Sequence, residues 1–150
     1  MDNPLVKAVE LELHKLGVIN AKLIRDSYDP DNFGNAEAVY KLGNLQLRFV
    51  RDRSDDTIEF GGLVNPKQFY ILDDMAVWMG WLSLGDLLKY DAPINFYEPP
   101  PGPILNLAKA LSLVARDFAK LENAFSANEI MSTNTRLKEV ERQRMKAVAG

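Results

Sequence analysis

The chain has 150 residues, no cysteine, a single histidine and a formal net charge of −3, with apolar residues at 47%. Such a chain fits one globular domain able to bury about 68–70% of its unfolded surface, and it excludes disulfide scaffolds, cysteine-type zinc sites and metal centres built from several histidines. The acidic balance argues against a generic nucleic-acid binder, and no segment approaches the roughly 20 apolar residues of a membrane-spanning helix.

The opening MDNPLVKAVELELHKLG lacks a basic region followed by an unbroken apolar run, so no signal peptide is expected there and the expected location is the cytoplasm. The same stretch reads as a helix. Asn3 caps it, Pro4 suits its first turn, and Gly17 ends it. Leu5, Val6, Val9, Leu13 and Leu16 recur at helical spacing and predict one buried face, with His14 on the other side.

From Lys22 to Val64 the apolar period changes to two. KLIRDSY and AEAVYKL read as the first two strands, joined by the loop DPDNFG. That loop superficially resembles a calcium loop. A calcium loop needs an oxygen ligand at position five and a glutamate at twelve, and counting from Asp29 those positions hold Phe33 and Tyr40. The loop is therefore read as a Pro/Asp/Asn/Gly connection. Gly43-Asn44 predicts a two-residue hairpin turn. Leu45, Leu47 and Phe49 then face inward while Gln46 and Arg48 face out, and Ile58 and Phe60 carry the alternation into a fourth strand. Short connections throughout predict an antiparallel meander of about four strands, covered on one face by helices, within an α+β fold.

Beyond the sheet, Asp73 or Asp74 is expected to cap a short helix carrying Met75, Trp78, Met79 and Leu82 on one stripe, followed by a turn of helix capped by Ser83 with Asp86. Trp78 is expected in the core. Trp81 is either core or a binding anchor, because an exposed tryptophan offers a large apolar area and an N–H seeking an acceptor. NFYEPPPGP predicts a stiff, extended connector. Pro103 is expected to open a long helix whose stripe runs from Ile104 to Phe125 and includes Ala108, Leu111, Ala115 and Phe118. Residues 1–125 form the expected domain. Residues 126–150 form a charged helical extension opened by the capping box SANE, exposed or ordered by a second copy of the chain. Within it RLKEVERQRMK holds five basic and two acidic side chains, so the rest of the chain stands near −6. Without interleaved aromatics, this run reads as a solvated helix or oligomer contact, and nucleic acid is not the expected partner.

The strongest charge cluster lies in LQLRFVRDRSDDTIEFGG, where Asp52, Arg53, Asp55 and Asp56 crowd one bend beside Arg48, Arg51 and Glu59. Paired carboxylates act as acid and base when burial separates their pKa values, but a hairpin tip keeps them in water. The bend is read first as a solvated turn and second as a docking edge. No phosphate-binding glycine loop, nucleophile elbow or paired Glu/His motif occurs, so no catalytic residue, metal or cofactor is expected. An alternative site between sheet and helices would draw on Asp26, Tyr28, Tyr40 and Arg48 and would need a deep polar pocket there.

In its order of parts the chain resembles the small cytoplasmic immunity proteins of bacterial polymorphic toxin systems. A strand ending in Asp52-Arg53 turns into a second strand, and a short helix with Asp73, Asp74 and Trp78 follows; the resemblance covers about Leu5 to Tyr90. The C-terminal third departs from that pattern. The resemblance implies a protein that binds and neutralises a toxin without catalysis, a basic toxin domain being compatible with the acidic body, and it makes Asp52, Arg53, Asp55 and Asp56 candidate contacts, with Trp81 as an anchor. The competing expectation is a self-associating protein that dimerises through its C-terminal helices.

Overall fold

The computed structural model describes residues 2–18, 20–53, 55–89 and 105–149. Helix α1 (Pro4–Lys15) begins where Asn3 Oδ1 accepts the backbone N–H groups of Leu5 and Val6, at 3.0 and 3.4 Å. Asn3 is buried, and its amide Nδ2 donates to the carbonyls of Ser27 (2.9 Å) and Glu37 (3.3 Å). One side chain therefore caps the helix and ties it to two strands, satisfying donors that burial would otherwise strand. Leu5, Val9 and Leu13 are buried as their spacing predicts. Leu16 is 38% exposed, because the helix ends at Lys15 and the chain turns away at Gly17. His14 is exposed.

The chain then forms a five-stranded antiparallel meander in the order β1 (Lys22–Asp29), β2 (Asn35–Leu42), β3 (Leu45–Asp52), β4 (Asp55–Gly62) and β5 (Phe69–Ile71). The fifth strand is three residues long, too short for its alternation to read as a strand in the sequence. Gly43, at φ 58°, makes the tight β2–β3 turn and sets the register in which Leu42 faces Leu45, Tyr40 faces Leu47 and Ala38 faces Phe49. Leu47 and Phe49 in turn face Phe60 and Ile58 of β4. Because side chains alternate, these residues share one face, and that face is the core. Gly62 closes the β4 end of this face: a Cβ there would lie 2.9 Å from Phe125 Cβ, so the absence of a side chain lets Phe125 pack directly on the strand.

Helices α1, α4 (Leu107–Arg116) and α5 (Phe118–Ala124) bring Leu5, Val9, Leu111, Val114, Leu121 and Phe125 into the cluster that covers this face. The proline connector 95–103 and the expected helix start at Pro103 lie outside the described residues. Helix α4 is capped at Asn106, whose Oδ1 accepts the N–H of Lys109 at 2.8 Å. The single long helix expected through Phe125 is divided at Asp117, where the backbone leaves the helical region (φ −106°, ψ 22°). Ala108 and Ala115, counted in its apolar stripe, are exposed.

Helix α2 (Leu72–Met79) starts two or three residues earlier than its acidic cap candidates, Asp73 and Asp74, predict. Ile71 precedes it without a side-chain cap, and Asp73 and Asp74 lie in the first turn, where carboxylates complement the helix dipole. Met75, Met79 and Leu82 are buried and Trp78 is half-buried. Helix α3 (Leu84–Lys89) follows, with Ser83 Oγ accepting the Asp86 N–H at 3.0 Å as predicted. Helix α6 (Ile130–Ala149) packs against α2. Ser126 does not cap it by its side chain; the hydroxyl donates to the Asn123 carbonyl instead, at 2.7 Å. Ile130 and Leu137 are buried with the main core, and Val148 is exposed. Arg144 anchors the far half of the helix through Asp74, Nε to Oδ1 at 2.6 Å. Among the described residues, no helix is long and apolar enough to cross a membrane.

Candidate docking edge at the paired hairpin tips

The β1–β2 loop (30–34) and Arg53, which follows β3, project from the same end of the sheet. Phe33 in that loop, at φ 58°, and Arg53, at φ 52°, lie in the left-handed backbone region, and these are the two such non-glycine residues among those described. Left-handed backbone costs an L-residue on the order of 1 kcal/mol, and such outliers gather at functional positions. The two residues meet: the Arg53 guanidinium carbon lies 5.3 Å from the centroid of the Phe33 ring. The Arg53 backbone N–H donates to Asn35 Oδ1 at 2.8 Å, which locks one hairpin tip to the foot of the other. Phe33 is nonetheless 69% exposed.

Carboxylates surround this stack. Asp29 makes an Asx turn, its Oδ1 accepting the Asp31 N–H at 3.2 Å. Asp52 and Asp55 stand directly opposite each other at the end of the β3–β4 ladder, a like-charge pairing that opposes sheet stability. Asp29, Asp31, Asp52, Arg53 and Asp55 are all exposed. Beneath the tips, Tyr28, Ala36, Val50 and Arg51 help to line an open concavity of about 460 Å³.

Asp56 has a different position from the other sequence-selected charges. It lies on the core-side face in register with Arg51 and Ala36, and its carboxylate accepts two hydrogen bonds from Arg51, Nε to Oδ1 at 2.8 Å and Nη2 to Oδ2 at 2.9 Å. Only 5% of the Asp56 side chain is exposed. Trp81 is not brought to the tips. It packs half-buried against Phe60, ring centroids 6.1 Å apart, toward the other end of β4. Its indole N–H donates to Asp117 Oδ2 at 2.7 Å. The Arg116 guanidinium, together with that indole N–H, holds the Asp117 carboxyl at about 2.

On the opposite face of the sheet, Arg25, Glu37, Arg48 and Glu59 form a row of alternating sign across four strands. Arg25 meets Glu37 at 3.2 Å, Glu37 meets Arg48 at 2.7 Å, and Arg48 meets Glu59 at 2.5 Å, with the Arg48 guanidinium over Phe69. Burial works to raise the Glu37 carboxyl, but hydrogen bonds from Arg48 and Arg25 outweigh it and hold the group below its ordinary value. Val39 is fully buried on this face, in register with Arg48. Of the four residues of the alternative site, Asp26, Tyr28 and Tyr40 share the core-side face, where Tyr40 donates to Glu10 at 3.3 Å, whereas Arg48 belongs to the ladder on the opposite face.

Phe33 and Asn35 are functional candidates that the sequence reading passed over. Their signal was an aromatic residue inside a Pro/Asp/Asn/Gly turn, where no packing role calls for one. The tips display a cation on an aromatic ring, ringed by solvated acids, which suits recognition of a protein surface. Among the described residues no group of three His, Cys, Asp or Glu side chains is placed to hold a metal ion. Comparison of the chain with protein-family models, with curated proteins and with solved structures finds no match in any of the three.

Proposed function

We propose that this chain is a non-catalytic protein-binding protein of the immunity type, which binds and neutralises a basic toxin domain in the bacterial cytoplasm through its paired hairpin tips. The observation that carries this reading is the exposed Arg53–Phe33 stack, held by two left-handed residues. Aromatic residues including phenylalanine are enriched in protein interfaces, and arginine is among the side chains that carry most binding energy. The solvated carboxylates of Asp31, Asp52 and Asp55 supply a field that speeds encounter with a basic partner more than it tightens the complex. Asp56, turned inward, supports the tip rather than touching the partner.

The test is co-expression. A basic toxin domain captured by this protein from lysate of the source bacterium is expressed alone, with the wild-type chain, and with Phe33→Ala/Arg53→Glu. Growth rescued by the wild type and lost with the tip variant is the expected result. Rescue by both sinks the tip assignment, and rescue by neither sinks the immunity reading.

A second reading, self-association through the C-terminal helix, is favoured by the exposed apolar side chains of Met131, Met145 and Val148 along α6. Its sign is a two-chain mass in native mass spectrometry.

A further inference from the structure

At the end of the sheet away from the tips, the Gly43-Asn44 turn, the end of α1 and the α4–α5 bend surround a cavity of about 360 Å³. That volume lies within the range of small-molecule sites. Its floor is aliphatic and buried, made by Leu13, Leu42, Leu47, Leu111 and Val114. Ala115, exposed to solvent, also lines the cavity.

The mouth has a specific chemistry. Phe118 and Glu122, one helical turn apart on α5, both lean on the Gly43-Asn44 turn. The Asn44 N–H donates to Glu122 Oε2 at 3.0 Å, and the missing side chain of Gly43 makes the space, since a Cβ there would collide with that oxygen and lie 3.5 Å from Phe118 Cζ. The carboxylate is thereby held at the edge of an apolar cavity. Its other oxygen, Oε1, has no hydrogen bond among the described residues. Among the described residues Glu122 is also the sole charged residue in the lining, which contains no lysine, arginine or histidine.

We infer that this cavity binds a small primary alkylammonium, with its chain on the aliphatic floor and its ammonium between the Glu122 carboxylate and the Phe118 ring. A carboxylate and an aromatic face are the two groups that stabilise an ammonium by ion pairing and by cation–π attraction. The same negative mouth rejects anionic amphiphiles of equal length. The site is separate from the hairpin tips, which lie at the other end of β3, and neither assignment depends on the other.

The full chain, titrated with n-octylammonium, octanoate and methylammonium and followed by backbone amide NMR, tests the assignment. Octylammonium is expected to give saturable shifts centred on Val18, Gly43, Asn44 and Phe118, and to bind about tenfold or more tightly than octanoate, the gap that one charge-assisted hydrogen bond supplies. Methylammonium, lacking the chain, should bind far more weakly. Glu122→Gln keeps an acceptor for Asn44 and should close the gap between octylammonium and octanoate, while Ala115→Phe should abolish octylammonium binding. Octanoate binding as tightly as octylammonium to the wild type overturns the inference, as do shifts scattered over the surface or none that saturate. The wild-type comparison stands by itself should Ala115→Phe fail to fold.

Discussion

Arg51 and Asp56 face each other across the β3–β4 ladder on the core side of the sheet, joined by two parallel hydrogen bonds, with 19% and 5% of their side chains exposed. The pair closes the apolar face just below an exposed acidic turn. Removing one member takes a two-point charged partner from the other at a place with little access to water. Asp56→Ala is expected to lower unfolding free energy by about 3 kcal/mol, whereas Asp55→Ala, one residue away and in water, should change it by less than about 0.5 kcal/mol. Urea denaturation of both variants checks the contrast. Equal losses would mean that the ion pair contributes nothing particular.

The left-handed residues at the tips predict a separation of stability from binding. Arg53→Gly relieves backbone strain of on the order of 1 kcal/mol and removes an exposed cation–π contact worth about 0.5–1 kcal/mol, so stability should hardly move. Under the docking proposal the same substitution should weaken partner capture. A glycine variant that unfolds the protein would show Arg53 to be structural.

Trp81 and Asp117 predict a pH effect. Arg116 and the indole N–H of Trp81 hold the Asp117 carboxyl at about 2, below its ordinary 3.8. A carboxyl depressed in the folded state adds stability above its unfolded pKa, and that contribution is lost as pH falls from 3.8 toward 2. Trp81→Phe should raise the Asp117 midpoint in a side-chain NMR titration, and Arg116→Ala should raise it further. An unmoved midpoint in both variants would refute the assignment.

Arg144 reaches back from α6 to the carboxylate of Asp74, which is 3% exposed. Arg144→Ala should therefore leave a buried carboxylate without this partner and release the far half of α6. Hydrogen exchange is the sensitive readout: amides from about Glu139 onward should lose protection before those around Leu137, which stays anchored in the core. Unchanged exchange would show that the helix is held by other contacts.

Phe49 and Leu111 are 1% and 2% exposed in the main cluster. Truncation of either to alanine should cost about 2–5 kcal/mol. Leu111 borders the cavity, so its truncation adds to space already open and should fall toward the lower end of that range. Chemical denaturation orders the two.

The features legible in the sequence were those whose cause is local. Asn3 capping α1, the Gly43-Asn44 turn, and the inward alternation of Leu45, Leu47 and Phe49 each follow from the backbone preferences or periodicity of a few neighbouring residues, and together they determined the α+β meander. The remainder was decided by residues distant in sequence. Nothing near Phe33 announces Arg53, because their stacking exists only once two separate hairpins lie side by side. Asp74 meets Arg144 across 70 positions, and Glu122 reaches Asn44 across 78. The division of the expected long helix at Asp117 and the inward turn of Asp56 likewise emerged only with packing. Composition and periodicity determine which face of an element is buried; which charge is buried with a partner, and which stays in water, depends on the elements that packing brings against it.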